Sequence, residues 1–239
     1  MKNFFSTLII ASLIFLATAS PGQAQEQTKT SVTQPANPLD RWDPLGGFNR
    51  RVYRFNANFD RWVVMPLVRG YRFIFPSFAR TGFQNFFANI DEVTVFSNSV
   101  LQLAPKKAVG TLARTVINTT FGLAGLWDPA TRVGLKAYNE DFGQTLGHYG
   151  VPPGPYLVVP LLGPSSLREG TGQIADRLLI WGVEYAILGD LQYVFSALYP
   201  AEILVSRNAT NFIYGELGPF EYELVRYFFM EYREALVED

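Results

Sequence analysis

Apolar residues along this chain recur at helical spacing in short runs, and proline or glycine ends nearly every run. The clearest run is Phe48, Val52, Phe55, Phe59 and Trp62, spaced four, three, four and three apart. That spacing confines them to roughly a 100° arc of a helix, with Arg50, Arg51, Arg54 and Arg61 on the other side. Asp43 is the expected N-cap of this helix and Pro44 its first residue. Pro66 and Pro76 are expected to cut the next stretch into short pieces. Residues 77–90 gather Phe83, Phe86, Phe87 and Ile90 on one side, and 91–103 do the same with Val93, Phe96, Val100 and Leu103. Pro105 opens another helix, with Ala108, Leu112 and Val116 on one face and Lys106, Lys107 and Arg114 on the other. Ser166-Leu-Arg-Glu169 is a capping box opening a helix to about Trp181. Pro219 opens the last, whose Leu224, Val225, Phe228, Tyr232 and Ala235 share a face. The best strand is Tyr156–Val159, bracketed by Pro155 and Pro160. The expected class is all-α: short amphipathic helices joined by Pro/Gly turns, with no internal repeat.

The aromatic run has two readings. It is the buried side of a helix with a solvated basic face, or an interfacial helix whose aromatics enter acyl chains while its arginines meet phosphates. No stretch of the mature chain reads as a membrane span, since Leu178–Val205 is interrupted by Glu184, Asp190, Pro200 and Glu202. The N-terminus reads as a secretory signal: Lys2, an apolar run from Phe4 to Ala19, and Gly22-Gln23-Ala24 before the cut. Ala17-Thr18-Ala19 offers a second cleavage site, and a retained transmembrane helix is the competing reading. The expected organisation is a signal peptide over 1–24, a polar tether over 25–39 and one domain over 40–239.

Composition adds an unusual surface. Charged residues make up 17 % of the chain, against about 25 % in ordinary soluble domains, while aromatics reach 15 % with 20 Phe. Net charge is −1 without a basic stripe, which argues against a nucleic-acid partner. There is no cysteine, so packing alone must hold an exported fold together. Catalytic signals are thin. A Ser–His–Asp arrangement would have to use His148, the sole histidine, with Asp141 and Ser165 or Ser166 nearest in sequence. Gly163-Pro-Ser-Ser-Leu167 is not a nucleophile elbow, Ser166 reads as a cap and His148 as a hydrogen-bonded structural residue. Asp91-Glu92 and Glu140-Asp141 read as acidic helix starts. No metal or phosphate-loop pattern is present, so no cofactor and no enzyme activity are expected.

Residues 141–170, DFGQTLGHYGVPPGPYLVVPLLGPSSLREG, combine turn chemistry with an uncharged run from Tyr149 to Leu162. Such a segment suits irregular backbone lining a cavity or lying at membrane depth. Together with Asp43-Pro-Leu-Gly-Gly-Phe-Asn-Arg50, Tyr53-Arg-Phe-Asn56 and Ile117-Asn118, it resembles the MlaA/VacJ family over about Asp40 to Leu178, and more loosely beyond. The resemblance implies a ring of helices lying in the membrane plane around an amphipathic channel. Through such a channel, outer-leaflet phospholipid passes to a periplasmic lipid-carrier protein. It also implies an outer-membrane location and association with a trimeric porin. Gly147–Pro155 matches the family's channel-controlling hairpin loop, with Gly150 and Gly154 on its glycines and Pro152 at a position often more flexible in relatives. Asn56 and Asn58 fall on a channel-shaping helix, and Phe48, Val52, Phe55, Phe59 and Trp62 on its membrane-facing side. Relatives carry a lipobox cysteine after the signal; Ala-Gln-Glu stands here, so attachment is expected from the folded body. A soluble periplasmic lipid-binding or scaffold protein is the alternative, and an esterase a third.

Overall fold

The computed structural model describes residues 43–191, 193 and 197–238, all within the unit Asn37–Asp239. The expected signal peptide and tether lie outside the described residues. Helix α1 spans Gly46–Phe59 and runs through a π-helical turn, Asp60–Val64, into α2, Met65–Ile74. Then come α3 (Ser77–Leu101), α4 (Pro105–Phe121), the single turn α5 (Pro129–Arg132) and α6 (Phe142–His148). A hairpin of β1 (Tyr156–Val159) and β2 (Gly163–Ser166) precedes α7 (Leu167–Leu188), a 3-10 turn at Gly189–Leu191, α8 (Tyr199–Ala209) and α9 (Glu221–Glu238). The fold is all-α, with β1 where the sequence put its one strand. Its antiparallel partner, which sets Tyr156 opposite Ser166 and Val159 opposite Gly163, was not expected.

Several boundaries differ from expectation for identifiable reasons. Pro66 does not cut the chain. The Met65 N–H reaches back to the Asp60 carbonyl, widening the ladder by one residue just where Pro66 brings a ring and no N–H. Pro76 does cut it: Phe75 is extended, as a residue before proline prefers. Residues 77–101 form one helix and not two pieces, roughly 37 Å long. Asp91 and Glu92 therefore sit mid-helix, far from any N-terminal dipole. Asp43 caps nothing through its side chain. Its carboxylate accepts instead from Asn49 Nδ2 (2.9 Å), Tyr222 OH (2.6 Å) and Arg226 Nη1 (2.9 Å), tying the start of α1 to α9.

The distribution of side chains is inverted relative to a water-soluble bundle. Among the described residues, Asn49, Asn98, Thr111 and Gln144 are at most 1 % exposed, while Phe73 is 92 % and Trp62 is 74 % exposed. Helix α4 shows the inversion best. Leu112 and Val116, grouped on one face by their spacing, face out, and Arg114, grouped with Lys106 and Lys107 on the other, is buried. Its guanidinium bonds Glu92 (2.8 Å), Thr131 Oγ1 (3.0 Å), the Leu135 carbonyl (2.9 Å) and Asp128 (3.1 Å). Burial works against ionisation of Asp128, but bonds from Thr131, Arg114 and Asn118 hold its carboxyl at about 2. The small apolar core, Val52, Tyr53, Tyr156, Val158 and Tyr222, lies between α1, the hairpin and α9.

Arg114→Leu leaves Glu92 buried and uncompensated, and should cost about 3–5 kcal/mol, whereas Leu112→Ala on the outer face should cost about 1 kcal/mol or less. Unfolding in mild detergent checks both; equal losses would mean that α4 packs with its other face inward.

Candidate functional site

Helix α1 packs on a stripe formed by Asn49, Val52, Tyr53 and Asn56, followed by Asp60. Two of these amides hold the hairpin. Asn49 donates to the Tyr156 carbonyl (3.0 Å) and accepts from the Val158 N–H (2.9 Å). Asn56 donates to the Val159 carbonyl (3.0 Å) and accepts from the Leu161 N–H (2.8 Å). A primary amide offers one acceptor and two donors, so it can pair with a peptide as a neighbouring strand would. The spacing fits as well: seven helical residues advance roughly 10 Å, as do three residues of strand. Asn56, expected beside a lipid path, is thus buried and committed to main chain, while Asn58 is exposed. Asn49 was missed, although an Asn repeated seven residues on marks a single helix face.

The aromatic run divides. Phe48, Phe55 and Trp62 face outward, and Phe59, half-buried, stacks on Phe55 with centroids 6.1 Å apart. Val52 is a correction, because it is buried in the core and faces no surround. It lies at the edge of the arc nearest the asparagines, and that edge turns inward.

Residues 147–155 leave α6 through a Schellman turn. Gly150 N–H bonds the Gly147 carbonyl (2.8 Å) and Val151 N–H the Leu146 carbonyl (3.0 Å), with Gly150 at φ +83°. Gly154 is also left-handed, at φ +70°, and Pro152 is exposed. Buried Arg168 fastens this loop: its Nη1 donates to the Val151 carbonyl (3.1 Å) and its backbone N–H to the Pro153 carbonyl (3.1 Å). The same guanidinium meets Glu169 Oε1 at 2.8 Å, and the other oxygen of Glu169 takes Arg233 of α9. Arg233 in turn grips Asp141 (2.7 and 2.8 Å), the N-cap of α6, which accepts from the Gln144 N–H (2.8 Å). Burial opposes ionisation of Asp141, yet Arg233 and Gln144 hold its carboxyl below the usual range. One ionic chain therefore binds both ends of α6 and its loop. Helices α6 and α7 cross so closely that a Cβ on Gly172 would strike the main chain of Gly143.

A second polar chain joins α3, α6 and α7. Gln102 donates to Thr145 Oγ1 (3.1 Å), Thr145 to Asn98 Oδ1 (2.8 Å), and Asn98 to Asp176 Oδ1 (2.9 Å). The other oxygen of Asp176 accepts the Phe142 N–H (2.9 Å). Burial pushes the Asp176 carboxyl up to about 6 despite those two bonds. The residues a Ser–His–Asp arrangement would need are engaged elsewhere. Ser166 caps α7 by accepting the Glu169 N–H, buried Ser165 donates to the Ser166 carbonyl, and Asp141 holds Arg233. His148, expected as a hydrogen-bonded structural residue, is exposed with its ring edge-on to Tyr149. Among the described residues, no group of His, Cys, Asp and Glu could hold a metal ion.

No helix among the described residues is long and apolar enough to cross a membrane. Fold and site together define a helical body with an apolar exterior, a polar interior and a glycine–proline loop fastened to both. Residues 41–236 match the family model for the MlaA lipoprotein, and the chain belongs to that family. It is 36 % identical over 182 residues to the intermembrane phospholipid transport system lipoprotein MlaA of Shigella flexneri, covering 74 % of this chain and 67 % of that protein. The protein of the same name from Haemophilus influenzae is 35 % identical over 178 residues, 73 % of this chain and 69 % of that protein. An uncharacterised Rickettsia felis protein is 40 % identical over 136 residues, and the chain spans only 54 % of its length. A solved structure described as the structural basis for maintenance of bacterial outer membrane lipid asymmetry superposes with a TM-score of 0.70 at 32 % identity. The match covers 82 % of this chain and all of that one.

Asn49→Ala strands a buried carbonyl and N–H, and should cost about 2–4 kcal/mol, while Asn58→Ala should change stability by less than about 0.5 kcal/mol. Thermal unfolding in detergent separates them, and indistinguishable midpoints would show that the amides do not hold the hairpin.

Proposed function

We propose that this chain is the outer-membrane component of a phospholipid transport system. It removes phospholipid misplaced in the outer leaflet, through an amphipathic channel, and passes it to a periplasmic carrier. Its helices lie in the membrane plane as a ring, beside a trimeric porin, and lipid moves without any bond being made or broken. The observation that carries the reading is the inversion: Leu112, Val116, Phe73 and Trp62 outward, Arg114, Asn98 and Thr111 inward. An apolar surround favours that arrangement and water disfavours it. The names of the relatives, which describe intermembrane phospholipid transport, support the same assignment.

The physical task is to carry a zwitterionic headgroup through a low-dielectric slab without losing its solvation, which costs several kcal/mol per unpaired ion. Inward polar groups reduce that cost. Residues 147–155 are the moving element in this reading, with Gly150, Pro152 and Gly154 near the path and Asn58 at its margin. Asn56 shapes the path indirectly, through the hairpin it holds. Phe48, Phe55, Phe59 and Trp62 meet acyl chains.

Deletion of the gene should raise phospholipid exposed in the outer leaflet, and the intact protein should reverse this. Gly150→Pro should not, because proline can neither reach φ +83° nor donate to Gly147. An unchanged outer leaflet on deletion overturns the assignment; full rescue by Gly150→Pro removes the loop from the mechanism. The protein should also fractionate with outer membranes and require detergent for release. Recovery in the soluble periplasm would favour a carrier or scaffold instead.

A further inference from the structure

Where α3, α7 and α8 meet, the surface folds into a cleft separate from the loop and hairpin. One wall is apolar, made by Phe87 and Ile90 of α3 with Leu198 at the start of α8. The rest is charged. Arg177 lies with its guanidinium 4.9 Å above the ring of Tyr199, and reaches Glu202 through two contacts of 3.4 Å. Contacts of that length sit at the weak end of hydrogen bonding, and the Arg177 side chain is 51 % exposed. Tyr199 OH donates to Glu184 at 2.7 Å. Asp91, one helical turn from Phe87 on the same face of α3, lies within electrostatic reach of Arg177 and Glu202 but has no hydrogen-bond or ion-pair partner among the described residues.

The lining thus combines a guanidinium with free N–H groups, a surplus of carboxylate and an apolar wall. A zwitterion with a hydrocarbon stem complements all three. The cleft itself is shallow, with about 10 Å³ of enclosed room, and its charged groups stand at the rim. We propose that the headgroup of a phospholipid carrying a primary ammonium lies across this rim. Its phosphate lies against Arg177, its ammonium between Asp91 and Glu202, and its glycerol backbone and upper acyl chain on Phe87, Ile90 and Leu198. The inference rests on the phospholipid-transport reading and deepens it by giving the path a headgroup preference. Arg177 supplies planar donors suited to phosphate oxygens, and the ammonium replaces water at a carboxylate that makes no ion pair of its own among the described residues. An anionic glycerol headgroup keeps the phosphate contact and gains no partner for Asp91. The cleft lies ten residues along α7 from Leu167, roughly 15 Å from the loop anchor.

The test is competition on the purified full chain in nonionic detergent, with dioleoyl phosphatidylethanolamine against dioleoyl phosphatidylglycerol and retained lipid read by mass spectrometry. The wild-type protein should favour phosphatidylethanolamine about tenfold, the equivalent of about 1.4 kcal/mol. Asp91→Asn should bring the two lipids close to parity and Asp91→Lys should reverse the order. Arg177→Gln should weaken both alike, and the thermal midpoint of Asp91→Asn should match wild type, since that side chain holds no partner in place. Parity in the wild type, or a preference that survives both Asp91 variants, overturns the cleft while leaving the transport assignment to the outer-leaflet measurement. Retention of neither lipid likewise overturns the cleft, and the transport assignment stands or falls on the outer-leaflet measurement.

Discussion

With polar side chains turned inward and phenylalanines turned out, the helices must be joined by hydrogen bonds and ion pairs whose donors and acceptors match. Arg114 illustrates how closely. Its guanidinium is shared among Glu92, Asp128, Thr131 and the Leu135 carbonyl, which fixes α3, α4 and α5 to one another at a single point. Such clusters add little net stability over a well-packed apolar core, because desolvating each charge offsets most of the attraction. They do impose geometry: an alternative packing of α4 would leave charges without partners, and that penalty is far larger than the loss of any single apolar contact. An apolar exterior has no comparable power to choose a packing, since one outward-facing leucine is as good as another.

The same constraint explains why α9 matters to residues far from it in sequence. Along its length Glu221 accepts from Tyr53 OH (2.6 Å) and from the N–H groups of Gly215 and Leu217, Tyr222 and Arg226 hold Asp43, and Arg233 holds Asp141 and Glu169. One helix thereby gathers the start of α1, the N-cap of α6 and the clasp on residues 147–155. The loop is consequently not a free flap. Its mobility is limited by Arg168, whose position depends on Glu169 and, through it, on α9. Lowering pH through the range where Asp141 titrates removes the native preference for its charged form, so this clasp weakens on the acid side and is intact at neutral pH.

Local rules were legible in the sequence and orientation was not. The Ser166 cap, the Pro105 start, the break at Pro76 and the strand at Tyr156–Val159 depend on single residues and their neighbours, and each is where the pattern put it. Amphipathic spacing, in contrast, identifies two faces of a helix without saying which one looks inward. For α4 the usual assumption of water outside points the wrong way, and Arg114 is the residue that shows it. Val52 fails for a smaller reason, because a 100° arc is wide enough for its edge to belong to the core. The Asn49 and Asn56 cradle was hidden by distance: its partners lie more than 100 residues away, and nothing at either asparagine announces a hairpin. The resemblance supplied the right class for the chain, but the role of Asn56 came from its bonds.

Helix α7 brings these separate elements into one frame. At its start Ser166 and Arg168 fix the hairpin and the loop. Further on, adjacent residues do different work: Asp176 enters the internal chain through Asn98 and Phe142 N–H, while Arg177 faces the cleft with Glu202 and Tyr199. Gly172 presses α7 against α6 with no side chain between them, leaving little room for one to slide on the other. The loop anchor and the cleft thus lie roughly 15 Å apart on the same helix, and its packing fixes the position of both.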